Sequence, residues 1–335
     1  MKNILIVLTG IIAVFFSACK SPVTESKVQV FAMDTYMELT VYDKEADEAL
    51  QEAAGEIYRL EDLLSATDEN SNLYRLNCEK TGLASADMAA LWEGAIDIYT
   101  KTNGKLDVTV YPAVKAWGFP TKEYRVPPAS EIEKCVAAIG MDRVGYKKET
   151  GMLLLPEDCE IDFGGVAKGY TGRLLAEKLK EKGVTSALLF LGGNVQLIGG
   201  KPDGSAFRIE IRNPMDTGEQ LGVLKVKDVA VVTSGAYERY FEQDGKVYHH
   251  IIDPATGCPA DTDLLSVTVV AEDGLLADGY ATALFVMGSK EAIAFWQEYS
   301  VEFEMVLVDS SGNIYVTEGL EESFESHRPH TVINH

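Results

Sequence analysis

The sequence predicts an α+β protein built of mixed, largely antiparallel sheets with flanking helices. Three observations carry this. Segments of helical period occupy the chain up to Ile139, strand texture takes over after Glu160, and only a few helices interrupt those later strands.

Gln29–Tyr42 alternates apolar and polar residues and reads as one strand. Glu45–Leu64 places Ala49, Ala53, Ile57, Leu60 and Leu64 at helical spacing, with acids on the opposite face. Asp87–Thr100 repeats the pattern and ends at Asn103-Gly104, and Glu131–Ile139 is a shorter helix. Beyond Glu160, strands are expected at Ala187–Leu191, Phe207–Arg212, Gly222–Thr233, Lys246–Ile252 and Leu264–Ala271. Tyr170–Lys182, closed by Gly183, Leu275–Val286 and Ala292–Tyr299 read as helices. Phe303–Asp309 and Asn313–Thr317 form a hairpin around Ser310-Ser311-Gly312, and no solenoid-length repeat is visible.

A chain of 335 residues is long enough for one large domain or two packed halves. Hydrophobic residues at 46% and charged residues at 24% suit a globular protein. The net charge of −22 repels phosphate backbones and argues against nucleic-acid binding. A polyanionic ligand would therefore need local relief from a cation, a lysine or a helix N-terminus.

Met1-Lys2-Asn3 precedes an apolar run, Ile4–Phe16, too short to span a bilayer but suited to a signal peptide. Ser17-Ala18-Cys19 then resembles a bacterial lipobox, with Phe16 where an aliphatic residue is usual. The organisation expected is a signal peptide over 1–18, a lipidated Cys19 and polar tether over 19–28, and one folded unit over 29–335. Plain secretion is the alternative. Cys78, Cys135, Cys159 and Cys258 form no CxxC and no zinc spacing; they either pair or stay free.

Five segments are candidates to carry chemistry. In Ile161–Tyr170, a strand end runs through Gly164-Gly165 into a helix with Lys168 in its first turn, a geometry that suits phosphate; the alternative is a tight turn with a surface lysine. Asp278 and Thr282 stand four apart on one helix face amid apolar residues. A hard cation would relieve that buried acid, although a helix-dipole aspartate with a packed threonine fits equally. His249 and His250 precede an Asp253-Pro254 turn, and strand alternation lets at most one face a ligand. Thr233–Tyr240 and Gly192-Gly193-Asn194 either form packed turns or line a pocket.

Together these segments resemble the FAD:protein FMN transferase family, the ApbE-type lipoproteins. Met33-Asp34-Thr35 is similar to the family's opening Met-Gly-Thr, and Ser65 through Ser71 with Leu76-Asn77 to its Ser-x-Tyr-x-x-x-Ser…Leu-Asn. Leu106–Val110 with Trp117-Gly118-Phe119, Gly-Gly-x-Ala-Lys-Gly, Gly-Gly-Asn, Thr-Ser-Gly-x-Tyr-x-Arg, His-Ile-Ile-Asp-Pro-x-Thr-Gly and Ala-Asp-x-x-Ala-Thr follow in the family's order. The resemblance implies an FAD cleft between two packed halves. It implies Mg²⁺ held by Asp278, Thr282 and the Gly165 carbonyl, and FAD contacts at Met33, Ala116-Trp117-Gly118, Asp162, Lys168 and Ile252. Thr67 replaces the family's frequent Tyr, so that aromatic contact is missing or comes from Tyr36 or Tyr74.

The activity so implied is Mg²⁺-dependent transfer of FMN from FAD to a Thr or Ser hydroxyl of a partner protein, with AMP leaving. The expected partner is a membrane redox subunit, and the expected location is the periplasmic face of a bacterial membrane. His250 is the candidate base and Asp278 the second. Two other readings remain, FAD hydrolysis to FMN and AMP at the same metal site, and a lipoprotein that only binds flavin.

Overall fold

The computed structural model describes residues 25–43 and 46–335. The expected signal peptide, Cys19 and most of the tether lie outside the described residues. Among the described residues no helix is long and apolar enough to cross a membrane.

A nine-stranded sheet organises the molecule. Its spatial order is Ser26–Ala32, Thr35–Val41, Ala187–Leu191, Asn194–Ile198, Ala230–Gly235, Leu264–Ala271, Glu304–Asp309, Ile314–Thr317 and Thr331–Ile333. Every pairing is antiparallel except the last, between Ile314–Thr317 and Thr331–Ile333. Eight α-helices occur among the described residues: α1 Asp47–Leu64, α2 Asn72–Glu79, α3 Ala86–Lys101, α4 Tyr111–Ala116, α5 Ala129–Ala138, α6 Ala167–Glu181, α7 Gly274–Met287 and α8 Ser289–Tyr299.

Both faces of the sheet are covered, which explains its unbroken apolar strands. Along Leu264–Ala271, Val267 and Val269 face a core with α3, α7 and α8, while Val270 faces the opposite side. That opposite side packs on a second sheet, Phe207–Arg212 with Gln220–Val226 and Phe324–Glu325. At the sheet's N-terminal edge, Met37, Leu39 and Val41 meet Leu50, Ala53, Ala54 and Ile57 of α1 and Leu175 and Leu179 of α6.

Several expected elements divide. Gln29–Tyr42 is a hairpin, because Met33 and Asp34 take φ of 51° and 59° and close a two-residue turn between Ala32 and Thr35. Gly222–Thr233 breaks near Asp228, φ 53°, into strands of different sheets. Lys246–Ile252 breaks at His250-Ile251 into two small hairpins. No strand runs directly into Gly164. That extended segment is held instead by Asn77, whose Nδ2 donates to Ile161 O at 2.8 Å while its Oδ1 accepts from Ile161 N at 2.8 Å. Asp162 N then donates to Val108 O at 2.8 Å. Two helices, α2 and α4, have no counterpart in the periodicity because each is short.

The crossing of α6 on α7 depends on two glycines. A Cβ at Gly169 would stand 2.0 Å from Gly274 O, and one at Gly274 would stand 2.6 Å from Gly169 O. Gly55, on an exposed part of α1, has nothing within 4 Å of such an atom. We expect Gly169→Ala to lose roughly 1–3 kcal/mol or more, as an overpacked core does. Gly55→Ala should gain roughly 0.5–1 kcal/mol from helix propensity. Urea unfolding of both variants checks the contrast.

Candidate active site

The close helix crossing delivers Asp278 to the N-terminus of α6. Asp278 is 4% exposed, and its Oδ2 accepts from Gly169 N at 2.8 Å. No side chain of its own caps α6, whose preceding residue is Val166. The carboxylate thus caps a neighbouring helix rather than its own. One N–H that the sequence offered to phosphate is therefore engaged by Asp278.

Burial pushes the Asp278 carboxyl up, while the Lys168 charge, the Gly169 N–H and the Asn194 amide oppose it. The Asn194 Nδ2 is itself buried and meets no partner at hydrogen-bond geometry. One turn along α7, Thr282 Oγ1 lies 3.5 Å from Ser234 Oγ. Gly165 lies against the same hydroxyl, since a Cβ built on it would stand 3.9 Å from Thr282 Oγ1. A buried carboxylate, a hydroxyl and a glycine turn thus share one place.

These oxygen donors fit a hard divalent cation such as Mg²⁺, which keeps waters and takes few protein ligands. Among the described residues no group of three or more His, Cys, Asp or Glu side chains could hold a metal. The set therefore suits a cation whose remaining ligands come from a bound phosphate and water. It does not suit a soft metal held by imidazole or thiolate.

Asp162 and His250 form the second part of the site. Burial raises the Asp162 carboxyl, against the Gly164 N–H and the charges of Lys168 and Arg239. His250 hangs from the Arg239 carbonyl, with its N–H donating at 3.0 Å and Nδ1 at 3.2 Å. A proton on Nδ1 leaves the Nε2 lone pair free. Burial, then the Arg239 and Lys168 charges, push this imidazole well below its usual value, so it is neutral at working pH. His249 turns the other way, edge-on to Phe285 at 5.4 Å, with Nε2 near Ala260 O. The two histidines face different partners, with His250 just past the end of the strand that carries His249.

An apolar wall supports the other expected contacts. Ala116, Trp117 and Ile252 share one buried cluster with Ala113 and Cys135. Trp117 Nε1 donates to Gly257 O at 2.9 Å, and its ring lies 5.1 Å from Tyr248. Gly118 takes φ of 80°, and a Cβ there would meet Glu123 O at 2.0 Å. Met33 lies in its hairpin turn, with its N–H on Glu61 Oε1 at 2.6 Å. A cavity of about 440 Å³ is lined by Thr67, Tyr74, Asn77, Tyr111, Lys115 and Glu160, among others. Tyr74, not Tyr36, faces the space beside Thr67; Tyr36 instead donates to Glu38 at 2.9 Å. Cys78, Cys135, Cys159 and Cys258 are all free thiols.

Sequence reasoning missed Asn77 as the clamp on Ile161, Gly274 as the partner of Gly169, and Arg239 as the support of His250. Asn77 and Arg239 lay within quoted motifs but carried no local signal of their contacts.

The ApbE family model matches residues 33–307. An FAD:protein FMN transferase of Vibrio cholerae is 30% identical over 93% of this chain and 96% of its own length. One from Treponema pallidum is 33% identical over 79% of each chain. Among solved structures, the ApbE protein of Thermotoga maritima has a TM-score of 0.84 at 28% identity, covering 90% of this chain and 99% of its own. The flavinyl transferase ApbE of Pseudomonas stutzeri has a TM-score of 0.81 at 26% identity, covering 91% and 98%.

The raised Asp278 carboxyl has a consequence for stability. Its folded pKa exceeds its unfolded value, so its contribution favours the fold at low pH and is lost as pH rises through the folded pKa. In EDTA, Asp278→Asn should gain roughly 1–3 kcal/mol near neutral pH and flatten the fall in stability as pH rises above the ordinary carboxylate range. Mg²⁺ should raise the melting temperature of the wild type but not that of the variant. Calorimetry with and without Mg²⁺ checks both.

Proposed function

The chain belongs to the ApbE family, and from that premise we propose that it is a flavin transferase moving FMN from FAD to a hydroxyl of a protein acceptor. The observation that carries this reading is the convergence of Asp278, Thr282 and Gly165 beside Lys168, with His250 held neutral nearby. Such a cluster has the charge and the base that diphosphate cleavage onto a hydroxyl requires.

Asp278, Thr282 and the Gly165 carbonyl would hold Mg²⁺. When bound, the ion would offset charge on the diphosphate. Lys168 adds a fixed positive charge at the start of α6. Asp162, Met33, Ile252 and the Ala116-Trp117-Gly118 segment shape the cleft around the rest of FAD. Trp117, pinned on Gly257, fixes that wall in place.

The acceptor is a Thr or Ser side chain. His250 Nε2 takes its proton as the oxygen bonds to the FMN phosphorus; the bond from phosphorus to the bridging oxygen breaks, and AMP leaves with that oxygen. Of the two candidate bases, His250 has the free nitrogen. Asp278 is 4% exposed and already accepts from Gly169, so it serves better as a ligand.

The residues before Ser26 extend the reading to location. An apolar run ending at Ser17-Ala18-Cys19 suits export and lipidation at Cys19, placing the domain on the periplasmic face of a bacterial membrane. A membrane-bound redox subunit there is the partner we propose.

Incubation of the full chain with FAD, Mg²⁺ and a threonine-bearing acceptor should add one FMN mass to the acceptor and release AMP. His250→Ala should slow transfer by roughly 10²–10⁴-fold. Intact-mass spectrometry and nucleotide chromatography read both. Free FMN and AMP with no acceptor labelling would mean a hydrolase. Bound FAD with no AMP under any metal condition would mean a storage protein.

A further inference from the structure

Arginine side chains in this acidic chain are almost all engaged. Of its nine arginines, those at 59, 75, 125, 143, 173, 208, 212 and 328 donate to or pair with a described oxygen. The Arg239 guanidinium has no hydrogen bond or ion pair among the described residues. With 52 acids against 30 basic residues, counter-ions are plentiful. Arg239 is solvent-exposed, so its guanidinium is open to an anion that the chain itself does not supply.

The position of Arg239 says where that anion lies. Its carbonyl holds both the backbone N–H and Nδ1 of His250, so residue 239 and the candidate base move as one unit. The segment is anchored by the Glu238 N–H on Gly235 O at 3.3 Å, directly after the strand that carries Ser234 to Thr282. Lys168 also has no hydrogen-bond or ion-pair partner among the described residues, and its charge acts on Asp162. Electrostatics agree with this layout. Both cations lie within electrostatic reach of Asp162 and His250, and Lys168 alone also reaches Asp278.

We propose that the Arg239 guanidinium is a second cationic contact for the substrate's diphosphate, on the His250 side of the cleft. It deepens the transferase reading and rests on it, because the group beside the base is then the phosphoryl under attack. Arg239 would donate to the non-bridging oxygens of the FMN phosphate, whose charge rises as the acceptor oxygen approaches. A planar fork of N–H donors suits two such oxygens better than a lysine does.

The test uses the full chain with Arg239→Gln and Arg239→Lys. FAD and riboflavin, which lacks the diphosphate, are titrated in EDTA by flavin fluorescence, so that turnover does not enter. Arg239→Gln should weaken FAD roughly tenfold or more, the usual cost of losing a charge-assisted hydrogen bond, and leave riboflavin unchanged. Arg239→Lys should recover part of the FAD affinity. Turnover should fall roughly 10²–10³-fold in Arg239→Gln, as when one oxyanion donor is removed. Because the guanidinium holds no intramolecular partner, the melting temperature should not move. Equal effects on FAD and riboflavin, no effect on either, or a lowered melting temperature would each overturn the assignment. Wild-type protein that binds FAD yet never releases AMP would sink the transferase reading, while the FAD–riboflavin contrast would still decide Arg239.

Discussion

The site depends on how closely two helices approach. Gly169 and Gly274 let α6 and α7 touch backbone to backbone, and this alone brings the Asp278 carboxylate onto the Gly169 N–H at 2.8 Å. A side chain at either glycine would push the helices apart and strand a buried carboxylate without its donor. The same contact aligns Thr282, one turn further along α7, with the Gly165 bend that leads into α6. Packing and chemistry are therefore one constraint here, not two.

Around that crossing, the rest of the fold works as support. The nine-stranded sheet backs α7 with Val267 and Val269, and Ser234 from a neighbouring strand reaches Thr282. Asn77 grips Ile161 with both ends of its amide, and Val108 holds Asp162, so the stretch before Gly164 is fixed without belonging to any sheet. His250 is fixed through the Arg239 carbonyl. Asp278, Asp162 and His250 are each held by hydrogen bonds from a different part of the chain, which gives them the rigidity that positioning demands. Within the acidic chain, Lys168 and Arg239 both bring positive charge to bear on Asp162 and His250.

What could be read from sequence follows from the range of the interaction. Asp278 and Thr282 on one helix face and Lys168 at a helix start are consequences of local periodicity, and the structure places them so. The α+β class was legible for the same reason. The hairpin at Met33-Asp34 was hidden because neither residue is glycine, although both take positive φ. The break at Asp228 was hidden likewise. Asn77 acts across 84 residues, and Gly169 meets a glycine 105 positions away, so no local pattern could announce either. The sequence suggested an aspartate stabilised by its own helix as one option; the structure instead gives it to a different helix.

The most direct test of the account is a crystal grown with Mn²⁺ in place of Mg²⁺ and measured at the manganese absorption edge. The account predicts one anomalous peak within coordination distance of an Asp278 carboxylate oxygen, Thr282 Oγ1 and the Gly165 carbonyl. A peak elsewhere in the molecule, with the Asp278 carboxylate bound only to Gly169, would contradict it.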